Sequence, residues 1–230
     1  MSGLKDYPNH TMALDVVFCI DATASVSDST ASNCSILDIA KSKIAQIYTD
    51  LSTARENKGK SAIHQFRVRL IAFRDYIADG EHAMMATDFF QLPQQAAEFE
   101  ACVNSIHADG GGDIPEDGLE ALAYAIKSKW TTEGVFRRHI IILWTDADTH
   151  TLGFGSRSKY YPKGMPRDLG ELSDWWDKLD CRAKRLVLFA PDEGNWKYIS
   201  DNWDLTMHIP TNANAALTSN TYEMAINALV

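Results

Sequence analysis

The sequence lacks the features that mark zinc-finger, disulfide-rich and membrane-spanning proteins. It contains only four cysteines, with no CxxC pair among them, so neither a zinc site nor a disulfide framework is indicated. Its longest apolar runs are short, as in the VVFCI stretch at residues 16–20, whereas a membrane-spanning helix needs about 20 apolar residues. We therefore expect no membrane insertion.

Positive charge is also scarce. The 22 Lys and Arg are outnumbered by 31 Asp and Glu, which gives a net charge of −9. Nucleic-acid affinity comes largely from counterion release by clustered basic residues, so we expect no nucleic-acid partner. The first residues after Met1 form no apolar segment of the signal-peptide kind. A cytoplasmic location with reduced thiols is therefore expected.

Familiar nucleotide-binding and catalytic patterns are missing as well. The glycine run at residues 110–112 lacks the GxGxxG spacing of a dinucleotide site, and no GxxxxGK[ST] phosphate loop occurs. No Ser/His/Asp or Cys/His arrangement is evident for nucleophilic catalysis. The sequence therefore favours a protein that is not an enzyme.

What the sequence does contain is a distinctive stretch at residues 15–25, DVVFCIDATAS. Its continuous apolar run is typical of a strand buried on both faces of a parallel sheet. Asp21, Thr23 and Ser25 follow at alternate positions, where the strand would end. Ligands of open α/β sheets lie outside the carboxyl ends of the strands. One carboxylate and two hydroxyls there would suit a hard divalent cation such as Mg²⁺.

The rest of the chain alternates predicted strands and helices. Apolar spacing predicts a first helix over residues 36–51, a polar turn over 53–61, and a second buried strand at 139–144. This alternation predicts an α/β fold with a doubly wound, mostly parallel central sheet and helices on both faces. We expect residues 1–11 to be an N-terminal extension and residues 12–230 to form a single domain.

Two further aspartates are placed to join the first site. Asp113 ends the glycine-rich GGGD run just before a helix, and Asp146 follows the second buried strand. If the two buried strands are neighbours at the switch point of the sheet, Asp21, Thr23, Ser25, Asp113 and Asp146 surround one cavity. Carboxylates this close repel each other unless a cation neutralises them. The sequence therefore predicts a divalent metal site.

These motifs resemble those of von Willebrand factor type A (VWA) domains. The DATAS run is similar to the DxSxS or DxTxS motif of their metal-ion-dependent adhesion site (MIDAS), and Asp113 and Asp146 match its loop and strand-end positions. The resemblance is closest to the branch with GGGDxPED, which includes the α-kinase-associated VWA domain. It implies a Rossmann-like fold and a Mg²⁺ site, with Mn²⁺ or Ca²⁺ as alternatives. It also implies a protein partner whose acidic side chain completes the metal shell.

One departure from the adhesive members affects this expectation. Asp113 stands where many of them have threonine, so the metal would be held more firmly but would attract an acidic partner less strongly. Two other functions remain open. One is a metal-dependent hydrolase or phosphatase, although Thr23 occupies the position of the usual acid/base aspartate. The other is a scaffold subunit of an ATPase or kinase assembly with a structural metal.

Three features outside this motif set have no assigned role. The loop at residues 147–170 is long and rich in glycine, and loops of that length in compact domains are usually functional or disordered. Asp75 is consistent with either a turn or support of the site. His150 is expected to be incidental.

Overall fold

The computed structural model describes residues 12–23, 36–60, 62–110, 115–211, 223, 226 and 227. They form a seven-stranded sheet in the order β3-β2-β1-β5-β6-β7, with β4 also paired to β2. The strands are β1 (Met12–Asp21), β2 (Ile63–Phe73), β3 (Met84–Ala86), β4 (Phe90–Leu92), β5 (Phe136–Trp144), β6 (Lys184–Ala190) and β7 (Thr206–Pro210).

The sheet is mostly parallel and is built around β1. Both neighbours of β1, β2 and β5, run parallel to it, as do β6 and β7 farther out. Only the short strands β3 and β4 are antiparallel, and both pair with β2. The chain thus builds the sheet outward from β1 in both directions. This places the topological switch point at the end of β1.

Helices cover both faces of the sheet. They are α1 (Ile36–Asn57), α2 (Ala96–Asn104), α3 (Gly118–Ile126), α4 (Leu169–Asp177) and α5 (Gly194–Asn202). Side chains of α1 and α2 share one core cluster with Val16 and Phe18 of β1. Side chains of α3, α4 and α5 share the other with Val17 and Cys19. Alternate residues of β1 therefore enter opposite cores, which explains its uninterrupted apolar sequence.

The predicted α/β class and doubly wound, mostly parallel sheet are confirmed. Some element boundaries were wrong: α1 continues to Asn57 through the predicted polar turn, because Leu51 and Arg55 still face the protein and are buried. Within the loop at 147–170, Phe154–Arg157 forms a short 3₁₀ helix. No helix in the described part of the chain is long and apolar enough to cross a membrane. The expected division into residues 1–11 and 12–230 stays a prediction.

A buried ion pair fixes the start of β1 against β2. The Arg67 guanidinium donates to both carboxylate oxygens of Asp15, at 2.8 and 2.6 Å, and the amide of Thr131 donates to the same carboxylate at 2.7 Å. Asp15 is fully buried, whereas the Arg67 side chain is 22% exposed. The pair raises the pKa of Arg67, mainly through its hydrogen bonds to Asp15. A carboxylate buried this deeply needs its partner.

We predict that Arg67→Met lowers the free energy of unfolding by about 3 kcal/mol, because it leaves the Asp15 charge buried without its cation. The double variant Asp15→Asn/Arg67→Met should be more stable than Arg67→Met alone. Urea unfolding measures both. Arg182→Met is the control, because Arg182 also pairs with an aspartate, Asp180, but its side chain is exposed. Equal losses in the single and double variants would contradict the role given to the buried charge.

Candidate functional site

The carboxylate of Asp21 lies at the end of β1 and is held on both oxygens. Oδ1 accepts hydrogen bonds from the amide and the hydroxyl of Thr23, at 3.0 and 2.7 Å. Oδ2 accepts from the hydroxyl of Thr145, which follows β5, at 2.7 Å. The site therefore joins the ends of two adjacent parallel strands. Asp21 and Thr23 are each only 1% exposed.

A second carboxylate, that of Asp146, adds its charge to this pocket. Burial raises the pKa of Asp21 to about 6 against the opposing hydrogen bonds from Thr23 and Thr145, and the Asp146 charge raises it further. Burial also raises the pKa of Asp146. Oδ1 of Asp146 is buried and has no hydrogen-bond partner among the described residues. The pocket thus combines two carboxylates that repel each other with an oxygen whose bonding capacity is unused.

The residues on either side of the glycine run lie near the end of β1. The amide of Asp109 donates to the carbonyl of Ala22 at 3.1 Å. Arg74 donates to that carbonyl at 3.0 Å and to the carbonyl of His107 at 2.9 Å. Beyond the run, Glu116 lies near enough to Asp21 for their charges to interact. Residues before 111–114 are therefore bonded to the end of β1, and Glu116 beyond them lies near it.

Three buried carboxylates lie beside the pocket, where α3 begins. Burial is the largest cause of the shift that raises the pKa of Glu116 to about 8 and that of Asp117 to about 7, and it also raises the pKa of Glu120. Neighbouring carboxylates, including Asp75, raise these values further. Each of the three side chains has one buried oxygen that receives no hydrogen bond within the described part of the chain. This end of the sheet is therefore strongly electronegative when all of its carboxylates are ionised.

The loops around the pocket are joined by a second polar contact. His150 Nε2 lies 3.0 Å from Asp75 Oδ2, and both side chains are buried. Asp75 Oδ1 also accepts from the amide of Ala78, at 2.8 Å. His150 thus joins the loop after β5 to the loop after β2, and its expected lack of a role in the metal site stays a prediction. Asp75 has the expected turn role through Ala78, and its support of the metal site stays a prediction.

The structure brings together three of the five predicted site residues. Asp21, Thr23 and Asp146 share the pocket, while Ser25 and Asp113 lie outside the described residues. Sequence reasoning missed Thr145 and Glu116; the TDAD run at residues 145–148 was a signal for Thr145, since its hydroxyl precedes the strand-end aspartate. Within the described residues, no group of three His, Cys, Asp or Glu side chains could hold a metal ion.

Comparison with solved structures shows the same fold in several other proteins. A PilB minor pilin from Streptococcus sanguinis matches with a TM-score of 0.59 and 14% identity, covering 100% of this chain and 64% of the pilin. The pilus adhesin SpaC from Lactobacillus rhamnosus GG matches with a TM-score of 0.53 and 13% identity, covering 95% and 30%. A von Willebrand factor type A protein from Catenulispora acidiphila gives 0.53 and 14%, covering 95% and 43%.

These likenesses establish a VWA-like fold and not a shared activity, because the identities are low. The chain also spans less than two thirds of the length of each of these three proteins. No family model matches the chain, and no curated protein sequence matches it. The GGGDxPED resemblance therefore stays a prediction.

The raised carboxyl pKa values predict a pH dependence of stability. Glu116 and Asp117, with pKa values of about 8 and 7, keep protons in the folded protein that they lose near pH 4 when unfolded. Their effect on stability is therefore most favourable below about pH 4 and is lost as the pH rises through 8. Glu116→Gln should raise the free energy of unfolding at pH 8 by ~1–3 kcal/mol and change it little at pH 5.

Urea unfolding at both pH values, in the presence of a chelator, measures this difference. Glu98→Gln serves as the matched control, because Glu98 is exposed on α2 and is hydrated whether the chain is folded or unfolded. A gain at pH 5 as large as that at pH 8 would show that the Glu116 charge is not the cause.

Proposed function

We propose that this protein is a metal-dependent protein-binding module with a MIDAS-type Mg²⁺ site, and that it is not an enzyme. The observation that carries the proposal is the pocket at the end of β1. There the buried Asp21 carboxylate accepts hydrogen bonds from two threonine hydroxyls, and it interacts with Asp146, one of whose buried oxygens lacks a partner. Buried carboxylates without cations are costly, and a divalent cation removes that cost.

The chemistry of the donor set fits a hard cation. All the predicted ligands, Asp21, Thr23, Ser25, Asp113 and Asp146, bind through oxygen, which is what Mg²⁺ prefers. The Thr23 hydroxyl donates a hydrogen bond to Asp21, and a hydroxyl oxygen has lone pairs of the kind that bind a metal. The same oxygen ligands also suit Mn²⁺, and they suit Ca²⁺ if further oxygen ligands are added. Thr145 is assigned a positioning role, because its hydroxyl orients Asp21.

Asp113 and Ser25 complete the proposed ligand set. The inclusion of Asp113 is supported by its neighbours in the sequence, since Asp109 contacts Ala22 and Glu116 interacts with Asp21. Ser25 is included from the DATAS spacing. When bound, Mg²⁺ would offer a coordination position to an acidic side chain of a partner protein.

The kinds of protein that share this fold support a role in protein interaction. The matched pilin is named a minor pilin and SpaC is named a pilus adhesin. A binding role needs no catalytic group, and Thr23, at the position where a phosphatase would need an acid/base, cannot transfer a proton near neutral pH. Our proposal places the protein in the cytoplasm, with no nucleic-acid partner.

We predict that Mg²⁺ raises the melting temperature of the protein and that Asp146→Asn and Asp21→Ala remove the effect. At about 100 times Kd the added stability is about 2.7 kcal/mol, or roughly 5–10 °C for a chain of this size. Calorimetric titration should show Asp113→Thr binding Mg²⁺ less tightly than the wild type, because an anionic ligand is lost.

The matched control is Asp174→Asn, which removes an exposed carboxylate on α4 and should leave Mg²⁺ binding unchanged. Unaltered Mg²⁺ binding in Asp21→Ala or Asp113→Thr would contradict the ligand set. Partner binding that persists in a chelator while Mg²⁺ binds normally would assign the metal a structural role, as in the scaffold alternative. Mg²⁺-dependent release of phosphate from a phosphatase substrate would instead support a hydrolase.

A further inference from the structure

Three exposed apolar side chains cluster in the two loops that flank the candidate metal site. Ile77, in the loop after β2, is 50% exposed, and Phe154 and Tyr160, in the loop after β5, are 51% and 41% exposed. The two loops touch, because a Cβ at Gly80 would lie 3.3 Å from the Tyr160 ring. Exposed apolar groups that cluster on a surface mark an interaction site more reliably than scattered ones do.

The loop that carries Phe154 and Tyr160 has the opposite charge to the chain as a whole. Residues 153–167, which we call the basic loop, contain no Asp or Glu but four basic residues, in a protein of net charge −9. These residues are exposed: Arg157, Lys159, Lys163 and Arg167. The Lys159 ammonium lies over the Tyr160 ring at 4.7 Å. Arg167 is paired with Glu171 outside the loop, which leaves the other three as the cationic part of this surface.

Buried groups hydrogen-bond to the basic loop and pack against it. Glu120 Oε1 accepts from the Tyr161 hydroxyl at 2.7 Å and from the Gly153 amide at 3.1 Å. At Gly155 a Cβ would meet the Tyr76 Cβ at 2.8 Å, so the backbone lies directly on that side chain.

The exposed phenyl ring of the loop is held in the same way. The Phe154 ring stacks on His150, with ring centroids 3.7 Å apart, and His150 in turn contacts Asp75. The Phe154 ring is therefore ordered by its contact with His150, so a partner would lose little entropy in using it.

We propose that the basic loop and Ile77 form the docking surface for an acidic segment of another protein that carries an apolar side chain next to its carboxylates. The inference rests on the proposed function only for the metal, which would take one of those carboxylates. The apolar side chain would pack on Phe154 and Tyr160, and the remaining carboxylates would lie near Lys159, Lys163 and Arg157. Charge complementarity favours this occupant, because the loop is basic in an otherwise acidic protein.

The proposed docking surface is tested by selecting binders of the full chain, in Mg²⁺, from a displayed library of random 12-residue peptides. The selected peptides should be enriched in Asp or Glu adjacent to an aromatic or aliphatic residue. The best peptide is then synthesised with a fluorescent label, and its affinity is measured by anisotropy. Phe154→Ala should weaken binding about tenfold, as for a central aromatic anchor. Lys159→Glu/Lys163→Glu should weaken it at least about threefold and reduce its salt dependence.

Matched controls lie between α3 and β5, near the start of β5 and therefore at the end of the sheet opposite to the candidate site. Val135→Ala removes an apolar side chain that is 62% exposed, and Lys129→Glu reverses an exposed charge. Both should change the affinity less than twofold. Recovery of no binders, binders without acidic residues, or equal effects of Phe154→Ala and Val135→Ala would overturn the proposal. So would a labelled 12-nucleotide oligothymidylate that binds at the basic loop as tightly as the best peptide, because the surface would then recognise polyanions in general.

Measuring peptide binding in the presence of a chelator distinguishes this proposal from the proposal of a metal site. Peptide binding that depends on Phe154 and Lys159 but survives chelation would support the surface and contradict a metal-dependent partner site. Normal Mg²⁺ binding, with peptide binding unaffected by changes in the basic loop, would overturn the surface and leave the metal site intact.

Discussion

The structure depends on the burial of one charged group, the Asp21 carboxylate, at the carboxyl end of the central strand. A carboxylate can occupy so dry a position only if both of its oxygens accept strong hydrogen bonds. Thr23 supplies them from the residues that follow β1, and Thr145 supplies one from the end of β5. The junction of two parallel strands is therefore fixed by side chains as well as by the backbone ladder.

This constraint extends outward into the neighbouring loops. Glu116, Asp117 and Glu120 lie at the start of α3, where Glu116 interacts with Asp21, and burial raises the pKa of each. Contacts to Tyr76, Tyr161 and the loop backbone use some of their oxygens and leave others without partners. An arrangement so rich in negative charge lowers the stability of the protein by itself. Its retention at the ligand-binding edge of an α/β sheet is what a cation-binding function would require.

Shared fold and shared function must be kept apart for this protein. A pilin, a pilus adhesin and a von Willebrand factor type A protein all superpose on the chain at about the same low identity. The fold therefore tolerates wide divergence in sequence, and function has to be argued from the site. Here the Asp21 pocket and the basic loop next to it, whose aromatic residues are exposed although buried groups contact the loop, support the proposed functions.

The sequence by itself determined the fold class and selected three residues that the structure brings together in the candidate site. Uninterrupted apolar runs, such as the one ending at Asp21, identify strands buried on both faces, and their alternation with helical patterns predicts a doubly wound sheet. Asp21, Thr23 and Asp146 could be chosen because strand ends in such sheets meet at one edge. The short strand β4 and the true end of α1 were not predicted, because three-residue strands and polar helix ends carry little periodicity.

Only the tertiary structure decided which groups touch. Thr145 bonding to Asp21, Glu116 returning to the pocket, and His150 meeting Asp75 all join residues more than 70 positions apart. Local patterning shows which face of an element is buried but not which neighbour meets it, because that depends on strand order and register. The same reason explains the loop at residues 147–170. Its composition showed only that it was long and unusual, whereas its contacts with Glu120 and Tyr76 show where it packs against the protein.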